Sequence, residues 1–258
     1  MSGRAGSEGA DVLAERRTRL ADSLRAGWRA SASVSEAFQA VPRHVFVCGE
    51  PAELAYEDTA IVIKSDAGGL PVSASTRPAL MAIMLDQLGL APGQRVLEIG
   101  TGSGYNAALI AQIVGGSGSV VTMDIEPDLV DRARASLAEA GFDNVAVVCG
   151  DGAAGVPSYA PYDRIIVTAG AWDLAPRWLA QLGAGGRIVV PLSVRGIQLA
   201  VAFEHAGNHW VGRRACRCHF IRMTGPSAGP EVIVPLGPQP GLYALAADGA
   251  GAGGRSPR

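Results

Sequence analysis

The run Val96-Leu97-Glu98-Ile99-Gly100-Thr101-Gly102-Ser103-Gly104 is a hydrophobic strand that breaks, behind an acid, into alternate glycines. Alternate glycines remove the Cβ atoms that would hold a backbone away from a bound ligand, and they permit positive φ where a strand turns into a helix. The dinucleotide spacing G-x-G-x-x-G is not met, because Tyr105 follows Gly104. No Gly-Lys-Ser/Thr follows to cradle a polyphosphate either. A second apolar run, Ser119-Val120-Val121-Thr122-Met123-Asp124, ends in a carboxylate that could accept both hydroxyls of a ribose. A third, Val145-Ala146-Val147-Val148-Cys149, leads into Gly150-Asp151-Gly152, where an acceptor would suit an adenine amino group.

These motifs in this order read as the cofactor turn of an S-adenosylmethionine-dependent methyltransferase. The elements that would position them alternate as strand and helix over 95–99, 104–114, 119–124, 127–140, 145–149, 163–168, 174–182 and 187–191. Such alternation requires a mostly parallel sheet with helices on both faces. Ligands of such sheets lie beyond the carboxyl ends of the strands, where Glu98, Gly100, Asp124, Asp151 and Thr168 all fall. Upstream, Val12, Leu13, Leu20, Leu24 and Trp28 predict an amphipathic helix over 10–28 after a frayed start at 1–9. Ser33 with Glu36 forms a capping-box pattern for a second helix that Pro42 ends. The stretch 66–78, rich in glycine and hydroxyls, predicts a loop, and Pro78 starts a helix to Leu88. Apolar runs at 197–203 and 216–223 predict an antiparallel closing hairpin, and the Gly, Pro and Ala content predicts a disordered tail over at least 245–258.

The chain has 258 residues, 48% of them hydrophobic, enough for one α/β domain with appendages. The expected division is a helical cap with a substrate loop over 1–78, a core over 79–225 and an extension over 226–258. A formal charge of −2 gives no overall field to hold nucleic acid. The first residues lack the apolar core of a signal peptide, and no run approaches the ~18 apolar residues of a membrane span, so a cytoplasmic protein without a membrane partner is expected. Cys48, Cys149, Cys216 and Cys218 are too scattered for a disulfide framework. Cys216 and Cys218 are too close for a usual zinc pair and read as two small side chains on one strand face, so no metal is expected. Trp178 reads as core, Trp172 as a wall of the substrate cleft, and His44 as structural. Arg195, Arg213, Arg214, Arg217 and Arg222 against Glu204 make a basic segment that reads as a solvated strand face or as a surface for an acidic peptide.

From about residue 34 to 225 the chain resembles the protein-L-isoaspartate O-methyltransferase family. The resemblance is carried by Ala40-Val41-Pro42-Arg43-His44-Val45-Phe46-Val47, the Ser/Thr-rich loop ending at Pro78, Val96 to Tyr105, Gly150-Asp151-Gly152, and Tyr162 to Ala169. It implies a Rossmann-like, class I methyltransferase fold with a seven-stranded, mostly parallel sheet. It also implies an S-adenosyl-L-methionine pocket at Glu98, Gly100, Thr101, Gly102, Gly104, Asp124, Ile125, Asp151, Gly152 and Thr168. The substrate would be a peptide or protein bearing Asp or isoAsp, whose carboxylate is held at the hydroxyl loop by Thr76 and Ser75. Repair enzymes of the family carry Thr-Ile-Ser-x-Pro there, whereas this chain has Ala74-Ser75-Thr76-Arg77-Pro78, so that Thr76 replaces the serine. That loop, with Gly104 to Leu109 and Thr168 to Asp173, resembles the branch associated with modified ribosomal peptides of the lanthipeptide type. There an aspartate of a constrained precursor peptide is methylated, and the ester can cyclise to an aspartimide.

A carboxylate of pKa near ~4 is already ionised at pH 7, so this chemistry needs no general base. Orientation of the nucleophile would carry the rate. The hydroxyls of Ser73, Ser75 and Thr76 could position the anion, or could cap the helix that starts at Pro78. Two alternatives stand beside this reading: a methyltransferase of another acceptor class, such as a tRNA or a small molecule, and a cofactor-binding partner without turnover.

Overall fold

The computed structural model describes residues 2–47, 49–194, 196–229, 231–235 and 243–247. The chain opens with helices α1 (Ser2–Gly27), α2 (Ala32–Ala40) and α3 (Arg43–Phe46), then a hairpin of β1 (Ile61–Ser65) and β2 (Pro71–Ser75). Alternation follows: α4 (Pro78–Leu88), β3 (Arg95–Ile99), α5 (Tyr105–Val114), β4 (Ser119–Asp124), α6 (Pro127–Glu139), β5 (Val145–Cys149), β6 (Tyr162–Val167), α7 (Pro176–Gln181) and β7 (Leu182–Val194). A closing pair, β8 (Ile197–Ala206) and β9 (His209–Cys218), and a separate pair, β10 (Glu231–Pro235) with β11 (Tyr243–Ala247), complete it.

The main sheet has seven strands in the order β5-β4-β3-β6-β7-β8-β9. Its first five are mutually parallel, and only β8 runs against the rest. This is the Rossmann-like architecture expected of a class I methyltransferase. The chain winds outward from β3 through β4 to β5, then returns to lay β6 on the other side of β3. The turns leaving β3 and β6 therefore diverge, and a crevice opens at their carboxyl ends. Val96, Leu97 and Ile99 of β3 are all buried, as a strand covered on both faces requires. Helix α5 is buried almost all round: Phe38 of α2 and Phe46 of α3 pack on Tyr105, with ring centroids 6.0 and 5.7 Å away. Burying a side chain of that size contributes about 1.5–3 kcal/mol, which docks the N-terminal helices on the sheet beside the crevice.

Several elements differ from the sequence reading. Helix α1 begins at Ser2 rather than after a frayed start, and Val12 and Trp28 of its expected apolar face stay about half exposed while Leu20 and Leu24 enter the core. Ser31, not Ser33, caps α2: its hydroxyl accepts from the Val34 N–H at 3.4 Å. The expected loop 66–78 contains β2, because pairing with β1 from Ile61↔Ser75 to Ser65↔Pro71 supplies hydrogen bonds that its composition does not advertise. The second strand of the closing hairpin runs over 209–218 rather than 216–223, since Gly207-Asn208 makes a two-residue turn with Ala206 facing His209. The tail expected over 245–258 lies outside the described residues beyond Ala247, and Tyr243–Ala247 pairs with Glu231–Pro235. Among the described residues no helix is long and apolar enough to cross a membrane.

Candidate active site

A cavity of about 720 Å³ occupies the crevice, walled by the turns after β3, β4 and β6, by β2, and by the segment after β9. Gly100, Thr101, Gly102, Asp124, Ile125, Gly152 and Thr168 line it. The alternate glycines serve different purposes. A Cβ on Gly100 would stand 2.7 Å from Thr168 Oγ1, so the absent side chain there admits Thr168, whose hydroxyl donates to the Gly100 carbonyl at 2.7 Å. Gly104, at the start of α5, would meet Ala133 of α6 at 3.2 Å, which is helix packing away from the cavity. Gly102 also lines the cavity, with φ of +51°, and a Cβ there would stand 3.4 Å from Ser73 Oγ. At Gly100 and Gly104 the missing side chain leaves room for neighbouring chain, and Gly100, like Gly102, also borders the cavity.

Asp124 ends β4 at the cavity floor. Its Oδ2 accepts from the Gly102 N–H at 2.9 Å and its Oδ1 from the Glu126 N–H at 3.2 Å. Burial pushes its carboxyl upward, while the N–H groups of Gly102, Glu126 and Ile125 pull the other way. The hydrogen bonds that join this acid to the glycine turn fix both as one corner. Ile125 packs beside it, its Cδ1 filling the space that a Cβ on Gly225 would need.

Glu98 sits under the same corner without solvent exposure. Its Oε1 accepts from Asn106 Nδ2 at 2.7 Å and its Oε2 from Thr122 Oγ1 at 2.6 Å, and the Thr122 hydroxyl meets that of Thr101 at 2.8 Å. Burial raises its pKa to about 7, against the effect of those two donors and reinforced by the nearby Asp124. Both oxygens are thus engaged inside the protein, and this network props the strand end from below. At the other wall, a Cβ on Gly152 would collide with Ile99 Cγ2 at 2.7 Å. Asp151 turns its Oδ1 to the Ala153 N–H at 3.1 Å, capping the short turn that begins at Gly152.

The hydroxyl segment adjoins the Asp124–Gly102 corner, Ser73 and Ala74 lying beside Gly102. Ser73, Ser75 and Thr76 line the cavity from the end of β2, with Ser73 and Ser75 buried and Thr76 half-buried. They do not cap α4. That helix is closed by Asp58, whose Oδ1 accepts from the Ala79 N–H at 2.8 Å. Burial works against the charge of Asp58, but hydrogen bonds from Arg77 and Ala79 outweigh it and hold the carboxyl below its usual range. Beneath the segment lies Arg43, fully buried, a residue that the sequence reading placed only in a motif. Its guanidinium donates to the Thr76 carbonyl at 3.0 Å, the Ser75 hydroxyl at 3.3 Å and the Ser75 carbonyl at 3.4 Å. Burial lowers its pKa, opposed by neighbouring Tyr105 and Asp58.

Arg77, Arg217 and Arg222 border the cavity together with Glu126 and His219, Arg77 being paired with Asp58, and Trp28 lies against the Arg77 guanidinium at 5.4 Å. Arg195 of the basic segment lies outside the described residues. Trp178 is core, its Nε1 donating to the Gly152 carbonyl at 2.8 Å. Trp172, expected at the substrate cleft, instead borders a separate hollow with Leu174, Pro176 and Gly229. His44 Nδ1 meets the Tyr56 hydroxyl at 2.6 Å, away from the cavity. Cys216 and Cys218 pack against the core from β9, and among the described residues no three His, Cys, Asp or Glu gather as a metal site.

With that geometry in hand, the chain can be set beside known proteins. Residues 15–228 match the model of the family described as protein-L-isoaspartate(D-aspartate) O-methyltransferase. Over 196 residues, 75% of this chain and 86% of the relative, it is 46% identical to protein-L-isoaspartate O-methyltransferase 2 of Archaeoglobus fulgidus. A solved protein-L-isoaspartate O-methyltransferase shares 33% identity at a TM-score of 0.76, covering 84% of this chain and 74% of that one. A structure from Plasmodium falciparum, described as a beta-aspartate methyltransferase in complex with S-adenosyl-L-homocysteine, superposes at a TM-score of 0.70. It covers 81% of this chain and 98% of its own, and at 20% identity it speaks to the fold alone.

Proposed function

The chain belongs to the protein-L-isoaspartate(D-aspartate) O-methyltransferase family, and from that premise we propose how its residues methylate an isoaspartyl or aspartyl carboxylate of a peptide. When bound, S-adenosyl-L-methionine supplies an electrophilic methyl group that in-line displacement moves to a carboxylate oxygen, leaving S-adenosyl-L-homocysteine and a methyl ester. The residues fit that group: Asp124, fixed by the Gly102 N–H, would accept the ribose hydroxyls, and Gly102 keeps the adjacent backbone free of a side chain. Ile125, Gly152 and Thr168 wall the pocket, and Asp151, next to Gly152 in the chain, would accept from the adenine amino group. Gly100 and Gly104 serve by packing, and Glu98 with Thr101 serves by holding the β3 turn.

At the acceptor side, Thr76 and the neighbouring Ser75 orient the carboxylate with hydrogen bonds that position the anion without protonating it. No side chain needs to act as base, because the acceptor is ionised at neutral pH. The observation that supports this reading most is the single cavity, which joins the Asp124–Gly102 corner to the hydroxyls of Ser73, Ser75 and Thr76. A domain division of cap and substrate loop over 1–78, core over 79–225 and extension over 226–258 suits these roles. The finer reading takes the physiological acceptor to be an aspartate of a constrained, modified precursor peptide whose ester closes to an aspartimide. Arg217 and Arg222 at the cavity border support an acidic peptide of that kind.

Methylation of an isoaspartyl peptide, its aspartyl counterpart and a ring-constrained aspartyl peptide tests both levels. The mark is expected to be lost at mildly alkaline pH as methanol is released. A methyl group that survives alkali would overturn carboxyl transfer, and equal rates on linear and constrained aspartyl peptides would overturn the dedicated-precursor reading alone.

A further inference from the structure

Arg43 has no exposed surface, and the partners of its guanidinium are neutral oxygens. Its Nη1 donates to the carbonyls of Ala55 at 3.0 Å and Glu57 at 3.3 Å, and its Nη2 to the Thr59 carbonyl at 3.2 Å. The remaining bonds go to the Ser75 hydroxyl and to the carbonyls of Ser75 and Thr76. The ring of Tyr105, 5.6 Å away, supports the cation from the α5 side. A buried guanidinium costs desolvation that carbonyl oxygens offset only in part, and a hydrophobic side chain could fill the same space more cheaply. A planar fork of donors, by contrast, can gather several carbonyls into one fixed arrangement, which no apolar residue and no lysine reproduces.

The direction of those carbonyls has a consequence for the opposite side of the chain. In a trans peptide the N–H points away from the preceding C=O. When Ser75 and Thr76 turn their carbonyls onto Arg43, the N–H groups of Thr76 and Arg77 are turned away from it, and both residues line the cavity. The α4 N-terminus that follows has its Ala79 N–H taken by Asp58.

We propose that Arg43 is a positioning residue for methyl transfer: by holding the carbonyls of Ser75 and Thr76 from behind, it aims the Thr76 and Arg77 N–H groups and the Thr76 hydroxyl at one point, making the seat for the acceptor carboxylate. The proposal rests on the carboxyl-transfer reading above and adds to it the backbone donors and the residue that orients them. Arg43 touches neither substrate nor cofactor. Its hydrogen bonds go only to segments 55–59 and 75–76, so its effect is expected on the acceptor side.

Arg43→Lys keeps the charge and removes the fork. With an isoaspartyl hexapeptide, the variant is expected to show an acceptor KM raised tenfold or more, with a smaller change in kcat. Calorimetry of the same peptide on the S-adenosyl-L-homocysteine complex should show the same tenfold loss, while affinity for S-adenosyl-L-homocysteine itself stays within twofold. A folded Arg43→Lys protein with parental peptide affinity overturns the proposal, whatever its melting temperature. Should the variant not fold, the parental chain answers instead: titrating its S-adenosyl-L-homocysteine complex with the peptide must shift the amide resonances of Thr76 and Arg77, and unmoved resonances overturn the proposal. If the parental chain neither binds nor methylates the isoaspartyl peptide, it is the carboxyl-transfer reading that fails, an outcome separate from these.

Discussion

Replacing Thr76 by valine keeps the shape of the side chain and deletes its only donor. The hydroxyl is the group proposed to hold the acceptor carboxylate, and a hydrogen bond to a charged partner is worth about 1.5–3 kcal/mol. At about 1.4 kcal/mol per factor of ten, turnover should fall by roughly 10- to 140-fold. The rest of the local structure should not respond. Arg43 takes the Thr76 backbone carbonyl at 3.0 Å, which valine retains, and the α4 N-terminus is closed by Asp58 rather than by Thr76. The substitution should then cost no more than about 0.5 kcal/mol of stability, a change in Tm of roughly 1–2 °C for a chain of this size. Affinity for S-adenosyl-L-methionine should be unchanged, since Asp124 is held by the N–H groups of Gly102 and Glu126 and not by Thr76. Single-turnover methylation of an isoaspartyl peptide and a melting curve on one preparation decide the matter. Ser75→Ala is measured beside it to separate the two hydroxyls of the proposed seat, the Ser75 hydroxyl also accepting from Arg43. A Thr76→Val protein that turns over at the parental rate would refute the assignment of the acceptor seat to this hydroxyl.

Two further outcomes follow from the cofactor side. Asp124→Asn should weaken S-adenosyl-L-methionine binding by about 1.5–3 kcal/mol through loss of charge-assisted acceptance, and calorimetry that finds parental affinity in a folded variant would remove Asp124 from the ribose site. Glu98 should make the protein less stable as pH rises, because burial holds its folded pKa at about 7, above the unfolded value. Its contribution is fully present below about pH 4 and is lost as pH rises through 7, up to about 3 kcal/mol in all. Glu98→Gln should flatten that part of the stability–pH curve in urea titrations, and an unaltered slope would contradict the buried, proton-binding state of this carboxyl.

What the residues declared by themselves was the sheet and its ligand edge. Short apolar runs separated by amphipathic helices leave a parallel strand no choice but burial on both faces, and acids such as Asp124 at the ends of such runs must then emerge at one edge. Glycines after β3 were equally legible as a tight turn, but which atoms they admit was not: Gly100 yields to Thr168 and Gly104 to Ala133, contacts between segments distant in sequence. Strand β2 escaped notice because its hydrogen bonds come from β1, and a proline followed by small hydroxyl residues carries little intrinsic strand preference. The helix cap went unseen for the same reason: Asp58 reaches Ala79 across 21 residues, so no local pattern marks it. Arg43 is the sharpest case. A charged residue in a short helix reads as solvated, and only the approach of residues 55–59 and 75–76 around it turns the guanidinium into a buried hub. Periodicity reports which side of a strand or helix is dry, whereas the partner of a polar group is chosen by packing over long loops, and that choice exists only once the chain has folded.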